Sequence, residues 1–252
     1  MTDTASPPIG LVARSLLRAD GIVLARNHRA LLLSLGAPLI LLVATNNKSV
    51  QHLGGALFVI GLCIAIGLLN TSILGYALTV VKDRDEGIFQ RLRLTPAPSW
   101  TILASRLTIQ VIANALLALV VAIIGGLLHH LSLSAAQYGL VVATSIVGGA
   151  VFLAIGQATV GLIRSADTVN AATRLLLVAL LFLGLFGQSG ALGHTWESIA
   201  RWSPVGAVMT LFAGILNLSR WDSRDTLTLI ACAAYIAVSA IVGIRWFRWE
   251  PR

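Results

Sequence analysis

Long apolar stretches constrain the fold of this chain more than any other feature of its sequence. A helix needs about 20 mostly apolar residues to cross the hydrocarbon core of a bilayer. Six segments qualify or nearly qualify, and they predict transmembrane helices over residues 30–45, 53–81, 101–128, 135–163, 175–189 and 226–244. Since 57% of the residues are hydrophobic, little is left for a soluble domain. We therefore expect a single all-α transmembrane domain over residues 1–252.

The Lys and Arg residues predict which side of the membrane each loop faces. If the N-terminus is cytoplasmic, fourteen of the eighteen basic residues lie in inner segments and four lie in outer segments. Cytoplasmic loops of membrane proteins carry such an excess of basic residues, so we expect both termini in the cytoplasm. The basic residues are spread over several loops instead of one soluble face, which argues against nucleic acid as a partner.

Residues 9–29 have the pattern of a basic amphipathic helix that lies in the inner membrane interface. Four apolar residues fall on one side of a helical wheel and four arginines cluster on the other side: Ile9, Val12, Leu16 and Val23 against Arg14, Arg18, Arg26 and Arg29. The alternative is a solvated helix that only leads into the first span.

Residues 190–225 contain a second surface element, on the predicted outer side. Its apolar part, residues 204–218, has 15 residues and is too short to cross the membrane. Ser203 and Pro204 suit the start of a helix, as the N-cap and the first helical residue. Tryptophans flank the segment, as they do at membrane interfaces: Trp196, Trp202 and Trp221. We predict a re-entrant helix before the last span; a seventh span is the alternative.

A charged run separates the second and third predicted spans. Residues 82–96 contain seven charged residues, and such a segment is too costly to place in lipid. The run opens with an acidic–basic–acidic triplet, continues with Glu-Gly, and closes with Leu-Arg and Thr-Pro: Asp83, Arg84, Asp85, Glu86, Gly87, Leu92, Arg93, Thr95 and Pro96. An ordinary solvated loop is the simplest interpretation of a charged run between spans.

This run resembles the cytoplasmic coupling segment of the ABC transporter type 2 permeases. The family pattern reads Glu-Arg-Glu-x-Gly-Thr-x-x-x-Leu-Arg-x-Thr-Pro; this chain departs from it with Asp83 for the opening Glu and Ile88 after the glycine. The resemblance implies that residues 82–100 contact a motor subunit and turn its movement into movement of the spans. The implied contact residues are Asp83, Arg84, Asp85, Glu86, Gly87, Phe89, Leu92, Arg93, Thr95 and Pro96.

The resemblance also implies a function. Such a chain is the permease subunit of a bacterial exporter in the plasma membrane, paired with a second copy or a related permease. Two P-loop ATPase chains would bind ATP and Mg²⁺, and the substrates would be amphipathic drugs, lipids or glycolipids, a class that includes drug efflux and antibiotic resistance. The chain's two lysines, Lys48 and Lys82, do not follow a glycine, so it has no P-loop and we expect ATP hydrolysis in a partner.

Other function classes find less support in the sequence. Ion-driven carriers place charged residues deep in their spans, and none is predicted in the six apolar cores. An intramembrane enzyme would need a catalytic or metal-binding group of side chains there, and we predict neither. Uncharged polar residues do occur within the spans, where they either form the lining of a substrate path or join helices by hydrogen bonds. Both interpretations stay open for Asn70, Gln110, Asn114 and Gln157.

Overall fold

The computed structural model describes residues 9–26, 28–45, 55–88, 99–163, 165–187, 193–217 and 221–246. Within these ranges the chain is helical and has no strand, which confirms the predicted all-α class. A π-helical segment, Asn70–Tyr76, joins α3 to α4. The α-helices are α1 Ile9–Arg26, α2 His28–Ala44, α3 Ala56–Leu69, α4 Ala77–Asp85, α5 Ser99–Leu128, α6 Ala135–Leu162, α7 Ala166–Gly187, α8 His194–Trp202, α9 Pro204–Leu216 and α10 Ser223–Trp246.

Five continuous helices in the described residues are long and apolar enough to cross a membrane. One consists of α3, the π segment and α4 together, and the others lie in α5, α6, α7 and α10. The pair α8 and α9, bent by 83°, would make a sixth if it counts as one broken span. The predicted first span corresponds to α2, which has 17 residues and is therefore about 25 Å long.

The sequence prediction placed the start of the fifth span at residue 175, nine residues after the start of the observed helix. The helix α7 starts at Ala166, so Asp167 and Arg174 are helical residues within the apolar span Ala166–Leu185. The expectation that no apolar core contains a charged residue is therefore wrong for α7, whereas Arg106 lies only two residues inside the span Ala104–Leu128. Hydropathy locates the apolar centre of a helix but not its ends, and an acidic residue in the first turn is favoured by the helix dipole.

The short helix α9 lies in the middle of the bundle. Glycines of three surrounding helices face it: Gly61 of α3, Gly148 of α6 and Gly184 of α7. A Cβ atom on Gly61 would come 3.1 Å from Cβ of Phe212, and one on Gly148 would come 2.8 Å from Cγ1 of Val208. Small residues at these positions let the helices approach closely, as in other membrane bundles.

The junction between α8 and α9 confirms the predicted helix start. Pro204 is the first residue of α9, and the Ser203 hydroxyl accepts a hydrogen bond from the Gly206 amide at 3.2 Å. The Tyr235 hydroxyl of α10 donates to the Trp202 carbonyl at 2.7 Å, which ties the end of α8 to the last span. The sharp bend fits a re-entrant pair and a broken span, so the re-entrant path stays a prediction.

The N-terminal helix α1 packs along α5. The Ser105 hydroxyl donates to the Asp20 carboxylate at 2.5 Å, on the side of α1 that faces α5. The opposite side exposes arginines together with apolar residues, among them Arg14, Arg18 and Leu11. This mixed outer face suits a position at a membrane interface, where apolar side chains enter the lipid and arginines reach the headgroups.

Candidate coupling site

The charged run begins on a helix and not in a loop. Lys82 to Asp85 are the last residues of α4, and the helix ends where Gly87 adopts a left-handed conformation with φ of 68°. The amide of Gly87 donates to the Arg84 carbonyl at 3.1 Å, and the amide of Glu86 donates to the Lys82 carbonyl at 2.9 Å. Glycine adopts this conformation without a steric cost, which gives the Glu-Gly step a local structural reason.

Two residues of the run face the protein interior. The Asp83 carboxylate pairs with the Arg106 guanidinium of α5, and these side chains are 14% and 17% exposed. The Arg84 side chain is 5% exposed, and its Nη1 donates to the carbonyls of Val160 and Ile163 at 3.5 Å each. The expectation that the whole run lies in water outside the packed spans is therefore wrong for Asp83 and Arg84.

Three charged residues at the same end of α4 face outward. The side chains of Lys82, Asp85 and Glu86 are 75%, 46% and 53% exposed. The Lys82 Nζ lies 3.8 Å from Oε1 of Glu86, as expected for a pair four residues apart on a helix. The described part of the run thus combines an exposed charged surface with two buried side chains that attach it to neighbouring helices.

The remaining predicted contact residues lie outside the described residues, and their roles stay predictions. They are Phe89, Leu92, Arg93, Thr95 and Pro96. The residue that the sequence analysis missed at this site is Arg106, which was counted only as an inner basic residue. Its place about two turns after the start of α5, following an acidic run in the sequence, was the available signal.

Polar residues of the second and third spans meet in the protein interior. The Thr71 hydroxyl donates to Oδ1 of Asn114 at 2.7 Å, and Nδ2 of Asn114 donates to the Ser72 hydroxyl at 2.8 Å. Nε2 of Gln110 lies 3.4 Å from the same Asn114 oxygen. Since Asn114 is completely buried within this chain, its side chain joins α5 to the π segment, and the hydrogen-bonding interpretation describes its contacts here.

The other two polar candidates are Gln157 and Asn70. The Tyr76 hydroxyl donates to Oε1 of Gln157 at 3.0 Å, which joins the π segment to α6. Asn70 is half-buried at the start of the π segment. The structure thus brings Gln110 and Asn114 together, whereas Gln157 contacts Tyr76, and a role of these residues in a substrate path stays a prediction.

The π segment itself was not predicted. Its backbone approaches α6 closely, because a Cβ atom on Gly156 would come 2.9 Å from the Ser72 carbonyl oxygen. A π-helical turn is rare and often marks a functional position in a helix. The sequence signal was the group Asn70, Thr71 and Ser72 inside an otherwise apolar span.

The described residues contain no cluster of side chains suited to metal binding, and the two cysteines are not paired. No group of three or more His, Cys, Asp and Glu side chains there is arranged to hold a metal ion. Cys63 and Cys232 are both free and buried in the apolar core.

Comparison with known proteins places this geometry in context. The family model for the ABC-2 type transporter matches residues 13–217, a range that runs from α1 to the end of α9 and includes the charged run. The chain is similar to the "Putative transport permease YvfS" of Bacillus subtilis (strain 168), with 25% identity over 138 residues. That alignment covers 54% of this chain and 56% of the relative, so the chain spans about half the length of the curated relative it matches.

Proposed function

Since the chain belongs to the ABC-2 type transporter family, we propose that it is the permease subunit of an exporter driven by ATP hydrolysis in a separate chain. The absence of a Gly-Lys-Ser/Thr sequence supports a separate motor, because phosphate binding in P-loop ATPases depends on it. ATP and Mg²⁺ would bind to that partner, and this chain would bind no cofactor. The permease would work with a second copy of itself or a related permease in the bacterial plasma membrane.

The observation that carries this proposal is the exposed surface formed by Lys82, Asp85 and Glu86. A flexible loop would transmit little of the force that a motor subunit applies, because rotations of its backbone would absorb the displacement. Here the surface is the end of a helix that continues into a membrane span, and the buried Asp83 and Arg84 attach it to α5 and α6. A force applied at this surface would therefore move several spans.

The substrate would be an amphipathic molecule such as a drug, a lipid or a glycolipid, and drug efflux with antibiotic resistance is one outcome within that class. The span surfaces support an apolar substrate portion, because α6, α9 and α10 form an open apolar cleft of about 300 Å³ lined by residues such as Leu140, Val147 and Leu211.

An ATP-independent carrier or channel is the second candidate. The observation that favours it is the charge inside the apolar span of α7, where Arg174 is exposed. Arg174 is the ninth of the 22 residues of α7, about 12 Å along the helix from Ala166, and its long side chain can extend from there toward the nearer interface. Dependence of transport on ATP separates the two candidates.

The charge distribution predicts the orientation of the chain, with both termini and the end of α4 in the cytoplasm. In a chain without Cys63 and Cys232, a cysteine at position 90 should react only with a maleimide that reaches the cytoplasm. A cysteine at position 130 should react with an impermeant maleimide added outside. Labelling of both positions from the same side would contradict the six-span orientation.

The coupling role is tested by removing the exposed acids. We expect the double variant Asp85→Ala, Glu86→Ala to reach the membrane at normal abundance, because both side chains are half exposed. Its co-purification with a P-loop ATPase should fall, because each charged contact in a partly exposed interface contributes about 0.5–3 kcal/mol. The measurement is the amount of ATPase subunit recovered with the tagged permease from membranes.

Glu197→Ala is the matched control. Glu197 also pairs with a basic residue four positions away, since its carboxylate lies 2.9 Å from Arg201 on α8, but it belongs to the predicted outer side. The control should bind the ATPase as the wild type does. Equal ATPase recovery with the wild type and the double variant would remove the surface from the proposed interface, and no ATPase with any form would favour the carrier.

A further inference from the structure

The Arg84 side chain makes an unusual contact at the end of α4. It lies on the face of α4 that also carries Val80 and Ala77, four and seven residues earlier, and this face is completely buried. The guanidinium therefore lies beneath an apolar cluster instead of in water. Burying a cation in this way is costly unless its donors find partners, so the position of Arg84 needs an explanation.

Two carbonyl partners of Arg84 lie at the carboxyl end of α6, and its Nε also lies 3.7 Å from Oδ1 of Asp85. That helix ends at Leu162, and Ile163 turns to an extended conformation with φ of −106° and ψ of 131°. The last carbonyls of a helix have no partner within it, and Nη1 of Arg84 donates to the carbonyls of Val160 and Ile163 at 3.5 Å each. A cation is also favoured at this negative end of the helix dipole.

The end of α6 is in turn bound tightly to the last span. A Cβ atom on Gly161 would come 3.0 Å from the Gly243 carbonyl oxygen of α10, and one on Gly243 would come 2.9 Å from Cγ of Gln157. Backbones in such direct contact can hardly slide independently. A displacement at Val160 is therefore shared by α6 and α10.

We propose that Arg84 is the positioning residue that transmits movement from the exposed end of α4 to the carboxyl end of α6, and through it to α10. This inference rests on the proposed function, since it requires an ATPase that acts on the charged end of α4. Asp85 and Glu86 present the contact surface, whereas Arg84, their neighbour in sequence, contacts the carboxyl end of α6. Without Arg84 the ATPase would still bind, but α6 would respond less to it.

The test follows movement at the far end of α6 and needs no knowledge of the substrate. A single cysteine replaces the exposed Ala136 in a chain without Cys63 and Cys232, and the complex with its ATPase is placed in lipid nanodiscs. The rate of labelling by a charged maleimide is measured with and without Mg-ATP and vanadate. In the otherwise unchanged chain we expect the two rates to differ at least about threefold, because the nucleotide shifts the population of two conformations.

Arg84→Met should bring this ratio close to one while the ATPase still co-purifies. Arg84→Lys should give an intermediate ratio, because lysine keeps the charge but lacks the Nε donor that lies 3.7 Å from Oδ1 of Asp85. Arg18→Met is the control, since it removes an exposed arginine from α1 and should leave the ratio unchanged.

Four results would overturn the inference. The first two are a normal ratio in Arg84→Met at normal abundance and, should Arg84→Met not accumulate, a normal ratio in Arg84→Lys. The third is loss of ATPase binding in Arg84→Met, which would make Arg84 a docking residue. The fourth is a chain with Arg84 intact that binds its ATPase but shows no nucleotide response. Absence of any ATPase from the chain with Arg84 intact would instead refute the proposed function itself.

Discussion

Replacing Gly206 by alanine is expected to prevent normal assembly of the helix pair α8 and α9. A Cβ atom on Gly206 would lie 1.9 Å from the Ala200 carbonyl oxygen and 2.9 Å from that of Arg201. Both contacts are with backbone of α8, so no side-chain rotation can relieve them. Because α9 lies in the middle of the bundle, the strain would spread to α3, α6 and α7. We expect a loss of at least about 3 kcal/mol of stability.

The measurement is the abundance of Gly206→Ala in membranes together with its unfolding temperature in detergent. Gly139→Ala is the matched control, because Gly139 is also helical and nothing lies within 4 Å of its added Cβ atom. Alanine favours a helix over glycine by up to about 1 kcal/mol, so the control should be neutral or more stable. A normal unfolding temperature for Gly206→Ala would contradict the bend of 83° between α8 and α9.

Breaking the pair between Asp83 and Arg106 is expected to destabilise the contact between α4 and α5. Both side chains are largely buried, at 14% and 17% exposure, so either single alanine variant removes the opposite charge from a group that stays between α4 and α5. We expect Asp83→Ala and Arg106→Ala each to cost about 2–4 kcal/mol, less than a fully buried pair because some water reaches them. The double variant should be no less stable than the worse single variant.

Asp85→Ala is the control for this pair, because Asp85 has the same charge two residues along α4 and is 46% exposed. Its unfolding temperature should stay near that of the wild type, since changes at exposed positions rarely exceed about 0.5 kcal/mol. Its ATPase recovery should nevertheless fall. Additive effects of Asp83→Ala and Arg106→Ala in a double-mutant cycle would show that the two side chains do not interact.

Local features of the sequence predicted much of this fold. The apolar segment at 135–163 became α6, Ala135–Leu162, and the Ser203–Pro204 pair became the cap and first residue of α9. Such features need only composition and short-range hydrogen bonding. The start of α7 was missed for the same reason, because its first turns contain Asp167 and Arg174 and do not look apolar, although they continue the helix.

By itself, the sequence determined an all-α membrane chain with a charged run that suits the ABC-2 type transporter family. Only the tertiary structure decided which members of that run face inward. Arg84 and Asp85 are neighbours in sequence, yet the Arg84 side chain is 5% exposed and that of Asp85 is 46% exposed. The difference depends on where α6 ends and how α5 lies against α4. Burial of a charge follows from partners brought by distant segments, whereas hydropathy and helix capping follow from the nearest residues.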